Sequence, residues 1–208
     1  MQQTKQQIAD KTINVLFTLG FLYIPMWLVF FVNKIIPDEV IYPFLGIHPR
    51  SFDILAPLSF MTSWLLHINY DHIANNSLSL FWLAFFIALF ERRSLKLLFI
   101  LIAASGFSTW LIGSSNTVHV GASGLIFAIF GYILSSVIFG KKWLYLIPVF
   151  ISLFYYGFVY YTSFLKGMIP QDGISFAGHF GGCISGILVG AFYEIKRKRK
   201  LNNIKTQI

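Results

Sequence analysis

Charge is scarce in this chain. Only 12 % of its 208 residues are Asp, Glu, Lys or Arg and 56 % are hydrophobic, where a soluble domain carries about 25 % charged residues. A soluble fold could not hide that much apolar surface, so the bilayer is the expected solvent. Cysteine is nearly absent as well: the single Cys183 excludes an internal disulfide framework and leaves no CxxC metal or redox motif. Acidic residues number 8 against 16 Lys and Arg, a net charge of +8. In a soluble protein that surplus suggests nucleic acid, but here the basic residues sit between apolar runs, and no nucleic-acid partner is expected. No cleavable signal peptide is evident. The first apolar run is as long as a bilayer requires and lacks a small-x-small cleavage site, which reads as a retained anchor.

What is present is a set of long apolar runs. Six stand out, at 13–32, 73–90, 97–112, 121–139, 143–161 and 176–193, several near the short end of the roughly 17–25 residues a spanning helix needs. They lack the alternation of barrel strands, and backbone in lipid must satisfy its own hydrogen bonds, so helices follow. The reading is an all-α, six-span membrane bundle in one domain, 1–208, with a short cytoplasmic segment at 1–12 and a basic cytoplasmic tail at 196–208. With both termini cytoplasmic, only Lys34, Arg50 and Lys166 of the 16 basic residues fall outside, in accord with the positive-inside rule. The basic run at 196–200 then acts as a topology anchor that also attracts anionic lipid. The connection at 33–71 is long and carries Ile54, Leu55, Leu58, Phe60, Trp64 and Leu65. Long structured connections are usually functional, and short helices lying partly in the outer leaflet are expected there.

In this orientation spans two, four and six all descend from the outer side. Their outer ends carry His72 and Asn76, then Gly121-Ala122-Ser123-Gly124, then Gly178-His179. His72 and Asn76 are four residues apart and share a helical face. Each signal alone is more often packing or an interfacial hydrogen bond. Their convergence at one depth is another matter, because strongly polar groups within a membrane are costly and point to a functional site. Gly178, Gly182, Gly186 and Gly190 make a smooth stripe on span six, and Gly124, Ala128 and Gly131 a matching one on span four. Small faces let backbones approach closely, which a short serine side chain needs if a histidine on another helix is to reach it.

The chemistry follows. Ser123 is inert as an alcohol and needs a base within reach, a part His179 can play. No acidic residue lies in the outer halves of the spans, so a dyad is expected instead of a triad. Ser123 opens a helix, whose free N–H groups suit a developing oxyanion, and His72 and Asn76 can add donors. No metal or organic cofactor is expected.

These residues resemble the rhomboid family of intramembrane proteases. The likeness rests on His67-x4-His72-x3-Asn76, Gly121-Ala122-Ser123-Gly124 and Gly178-His179-Phe180-Gly181-Gly182, in the family's order, and covers 13–195. It implies Ser123 as nucleophile, His179 as general base, and an oxyanion hole of His72, Asn76 and the Ser123 amide. It also implies single-span membrane-protein substrates cut near a small residue, an outward-opening water-filled cavity, and a cap loop at 164–175. Two departures are visible. The Trp-Arg pair of many members is missing from the first outer loop, where the corresponding stretch reads Asp53-Ile54-Leu55-Ala56-Pro57. Phe127 replaces the tyrosine found four residues after the serine, which keeps ring stacking on His179 and loses a hydroxyl. His67 is read mainly as a loop hydrogen-bonder and Cys183 as a packing residue.

Two other readings compete: a catalytically silent relative that binds membrane clients, and a small transporter or metal handler using His67, His72, His119 and His179. Against the latter, the inner halves of the spans show no matching polar groups and there are no inverted repeats.

Overall fold

The computed structural model of the chain describes residues 2–154 and 175–205. Apart from one isolated bridge between Ile47 and His119, all regular structure among them is helical. The long helices are α1 (Gln2–Val32), α4 (Tyr70–Phe90), α5 (Ser94–Ile112), α6 (Ser123–Gly140) and α8 (Phe176–Lys205). Between α1 and α4 lie α2 (Asp38–Leu45), α3 (Ala56–Thr62) and a 3-10 turn at Ser63–Leu65. After α6 come a second 3-10 turn, Trp143–Tyr145, and α7 (Leu146–Phe154).

Among the described residues five helices, α1, α4, α5, α6 and α8, are long and apolar enough to cross a membrane. The expected fifth span at 143–161 is described only as far as Phe154, and its remainder lies outside the described residues. The expected cap loop at 164–175 also lies outside them, except for Ser175. Both chain-end segments differ from simple tails. Helix α1 begins at Gln2 and α8 continues to Lys205, so the polar residues at each end prolong the helices beyond their apolar stretches.

The packing is inverted relative to a soluble protein. Phe17, Ile24 and Leu28 of α1 are more than half exposed, as expected where lipid and not water covers them. The interior is built around α6, whose Leu125–Val137 stretch is almost wholly buried and packs most closely on α8. That contact depends on absent side chains. A Cβ at Gly182 would collide with the Gly124 carbonyl, one at Gly186 with the Ala128 carbonyl, and one at Gly131 with the Cys183 carbonyl. Backbone cannot swing away as a side chain can, so Gly186→Ala should destabilise the bundle by about 1–3 kcal/mol, the usual scale of overpacking. A detergent-solubilised denaturation midpoint reads this directly, and an unchanged midpoint would mean a looser helix pair than described. Buried Cys183 belongs to this interface.

The ends of the helices are fixed by side chains of particular type. Asn69 caps α4, its Oδ1 accepting the His72 amide at 2.9 Å, and Asp71 adds an anion to the first turn. The long connection is fastened to the end of α5: the Arg50 guanidinium donates to the Gly113 carbonyl at 2.6 Å and the Trp110 indole to the Ser51 carbonyl at 2.9 Å.

At the opposite end of the bundle the structure corrects the expectation that the spans carry no matching polar groups there. The Glu91 carboxylate accepts from Tyr132 at 3.0 Å, Tyr145 at 2.9 Å and Lys142 at 2.6 Å. Lys142 also pairs with Glu194 at 3.1 Å, and Arg197 pairs with Glu194 at 3.0 Å. Asn14, Thr18 and Ser94 form a second group joining α1 to the start of α5. These residues engage one another, tying α4, α6, α8 and the turn before α7 together.

Candidate active site

Helices α4, α6 and α8 begin at the same end of the bundle. A cavity of about 570 Å³ lies between their first turns, lined among others by His72, Asn76, His119, Ser123, Ser175 and His179. The structure thus brings Ser123, His179, His72 and Asn76 to one space from three helices. None of the described residues lining it is acidic.

Ser123 is the first residue of α6 and is reached through a tight turn. Gly121 has φ +108°, a conformation that side-chain-bearing residues rarely adopt, and its amide donates to the Ser63 carbonyl at 3.0 Å. Its bare Cα also faces the His72 ring: a Cβ there would sit 2.7 Å from Cε1 and 2.8 Å from Nε2. Gly121 therefore permits both the turn and the approach of His72. Phe127, one turn after Ser123, stacks on the His179 ring with centroids 4.4 Å apart and planes 21° from parallel. The nucleophile candidate and the platform of the base candidate are thus carried by one helix. Gly124 touches the Gly178 carbonyl at 3.5 Å from its would-be Cβ, and Gly182 meets the Gly124 backbone, which brings the first turns of α6 and α8 together.

His67 is more deeply placed than a surface loop residue: it is 1 % exposed. Its Nδ1 faces the Leu65 carbonyl at 3.3 Å, and its Nε2 accepts from the Asn76 amide at 2.9 Å. A carbonyl on one side and an amide N–H on the other suit a neutral ring with its proton on Nδ1. His67 thus bonds its own loop and also holds Asn76. Its pKa is pulled down to about 3, first by burial and then by neighbouring His72, against a smaller opposing effect of the Leu65 carbonyl. Because the folded pKa is below the unfolded value of 6.5, the unfolded chain binds this proton first as pH falls. The contribution is fully present above about 6.5 and is lost progressively toward pH 3. Unfolding midpoints should therefore fall on acidification through that window, and less so in His67→Gln. An equal acid dependence in both proteins would count against a buried neutral His67.

His119, named from the sequence only as a conceivable metal ligand, lines the cavity but is bonded to Ser175 and Thr117. Among the described residues no group of three or more His, Cys, Asp or Glu side chains is arranged to hold a metal. From the sequence Thr117 has no expected role and Ser175 only a place at the end of the expected cap loop, since isolated hydroxyl residues in connections carry no pattern.

Comparison with known proteins bears on this arrangement. The chain matches the family model described as "Rhomboid domain" over residues 56–195. It belongs to the rhomboid family. Among relatives of this rhomboid, the uncharacterized protein Rv1337 of Mycobacterium tuberculosis is 32 % identical over 170 residues, 77 % of this chain and 68 % of the relative. The uncharacterized protein ML1171 of Mycobacterium leprae is 33 % identical over 170 residues, 77 % of this chain and 64 % of the relative. A Bacillus subtilis protein named "Putative rhomboid protease YdcA" is 30 % identical over 145 residues, 67 % of this chain and 69 % of that protein. The matched segment of this rhomboid includes His67, His72, Asn76, Ser123 and His179 and begins within the connection before α4. With five helices able to span a bilayer among the described residues, the protein is a multi-pass membrane protein of a family that points to proteolysis within the membrane.

Proposed function

We propose that this rhomboid is an intramembrane serine endopeptidase that works with a Ser123–His179 dyad. The observation that carries the reading is the shared cavity: Ser123 at the start of α6, and His179 stacked on Phe127 of the same helix, open into one space with His72 and Asn76. His179 takes the Ser123 hydroxyl proton as Oγ attacks the scissile carbonyl, then delivers it to the departing amine. The acyl-enzyme is hydrolysed by water entering the cavity, with His179 again as base. The negative oxygen of each tetrahedral intermediate faces the first amides of α6, where the helix dipole is positive, together with donors from Asn76 and His72. Donors preorganised in this way need not reorganise as the charge develops.

The substrates are membrane proteins with a single span, cut near a small residue in a locally unwound segment. Helix at membrane depth hides its carbonyls in intrahelical hydrogen bonds, so an unwound stretch is what exposes one to Ser123. Both termini are cytoplasmic and the cavity opens to the outer side, as the distribution of basic residues supports. The chemistry uses no cofactor. Incubation of the purified protein with a fluorophosphonate probe should give a single adduct, located at Ser123 by peptide mass spectrometry and absent in His179→Ala. A labelled residue other than Ser123, or equal labelling without His179, would sink the proposal.

A further inference from the structure

We infer that His119 is a positioning residue for the dyad, holding the first turn of α8, and with it His179, through a hydrogen bond to the helix cap Ser175. The inference rests on the proposed protease reading and adds a residue to it.

Ser175 immediately precedes α8 and has the geometry of an N-cap. Its Oγ accepts the Gly178 amide at 3.0 Å, and its carbonyl accepts the amide of His179 itself at 3.0 Å. His119 Nδ1 lies 2.6 Å from the same Oγ. On the other side of the ring, Nε2 is 3.0 Å from Thr117 Oγ1, which donates to the Ser114 carbonyl at 2.8 Å. The protons fall into one order. The Thr117 hydrogen is committed to the Ser114 carbonyl, so in the neutral ring Nδ1 is the acceptor and takes the hydrogen of Ser175 Oγ, which itself accepts from Gly178. Nε2 then carries the ring proton and donates it to Thr117, whose hydrogen is directed at Ser114. Every donor has an acceptor when His119 is neutral, and burial of its imidazole lowers its pKa in the same sense.

The ring has little freedom. The His119 backbone exchanges two hydrogen bonds with Ile47, at 2.9 and 3.0 Å, and Nε2 lies over Gly113, where a Cβ would be 2.7 Å away. The register is informative. His119 stands four residues before Ser123, and Ser175 four residues before His179. One hydrogen bond therefore links the two segments that deliver the dyad, on the cavity side of the close α6–α8 contact. The other titratable side chains facing this cavity among the described residues are His72 of α4 and His179 of α8, while Arg50 approaches from the α2–α3 connection to bond the Gly113 carbonyl.

The test is the rate of fluorophosphonate labelling of Ser123 in the purified full chain, followed against pH beside thermal unfolding. His119→Phe keeps a ring and loses the bond, and Ser175→Ala removes its partner. Each should slow labelling by about tenfold, the scale of one hydrogen bond, and shift the pH midpoint of labelling. The double variant should be no slower than Ser175→Ala alone, because that change already removes the link to His119 together with the cap on Gly178. His119→Asn, whose amide can reach the Nδ1 position, should recover most of the rate. A merely structural His119 would lower the unfolding midpoint without moving the pH midpoint and would not be rescued by Asn, which would overturn the inference. Wild-type labelling rates in Ser175→Ala and His119→Phe would overturn it as well. If His119→Phe fails to fold, Ser175→Ala against His119→Asn decides. Absence of labelling at Ser123 in the wild type would defeat the protease reading itself, and this inference with it.

Discussion

Replacing Gly121 by alanine is expected to lower the rate of substrate cleavage by at least about 100-fold, the scale of losing an oxyanion-hole donor. Two effects act on one atom. The φ of +108° at this position is a region a Cβ resists, at a cost of about 1–2 kcal/mol for left-handed backbone. The same Cβ would lie 2.7 Å from the His72 ring, so the ring must leave its place or the turn must open. Either response displaces the amide of Ser123 or the imidazole beside it, the two groups that the proposed mechanism directs at the developing oxyanion. The core packing of α6 lies farther along the helix, at Leu125 and beyond. Helical content by circular dichroism should therefore be nearly unchanged while turnover collapses. Near wild-type turnover would mean that neither His72 nor the turn is held as described.

Asn76→Ala is expected to lower kcat by about 10²–10³-fold with KM little altered, equivalent to about 2.7–4 kcal/mol of transition-state stabilisation. The Asn76 amide has two hydrogens. One is committed to His67 Nε2 at 2.9 Å; in the proposed mechanism the other meets a charge that exists only during reaction. An interaction made only in the transition state appears in kcat. Asn76→Asp keeps the shape, removes the donors and adds negative charge beside the oxyanion, so its loss should be larger still. His67→Ala leaves the amide present but unanchored and should give a smaller loss than either. An Asn76→Ala enzyme with unchanged kcat and raised KM would place Asn76 in substrate binding instead.

Much of this site was legible in the sequence because its geometry is built from local spacing. His72 and Asn76 are one turn apart, Ser123 and Phe127 likewise, and the glycine stripe of α8 repeats every fourth residue. A 3.6-residue helix converts such spacings into shared faces without further information. The apolar runs marked the long helices for the same reason, since lipid leaves the backbone little alternative. What stayed hidden depends on tertiary contact. His119 meets Ser175 across 56 residues and His67 meets Asn76 from a connection with no periodicity. Glu91, Lys142 and Glu194 look in sequence like separate charges at span ends. Only the packing of α4, α6 and α8 turns them into one network, and that is why polar groups were not expected there. Helices α1 and α8 run past the apolar stretches at 13–32 and 176–193, because apolar length measures the bilayer and not the helix, which continues for as long as its residues favour it.

Cleavage of a tagged single-span substrate in liposomes, by wild type beside Ser123→Ala and His179→Ala, tests the central claim most directly. A cleaved product is expected from wild type alone, cut within or next to the substrate's span. Product that persists in Ser123→Ala would contradict the claim.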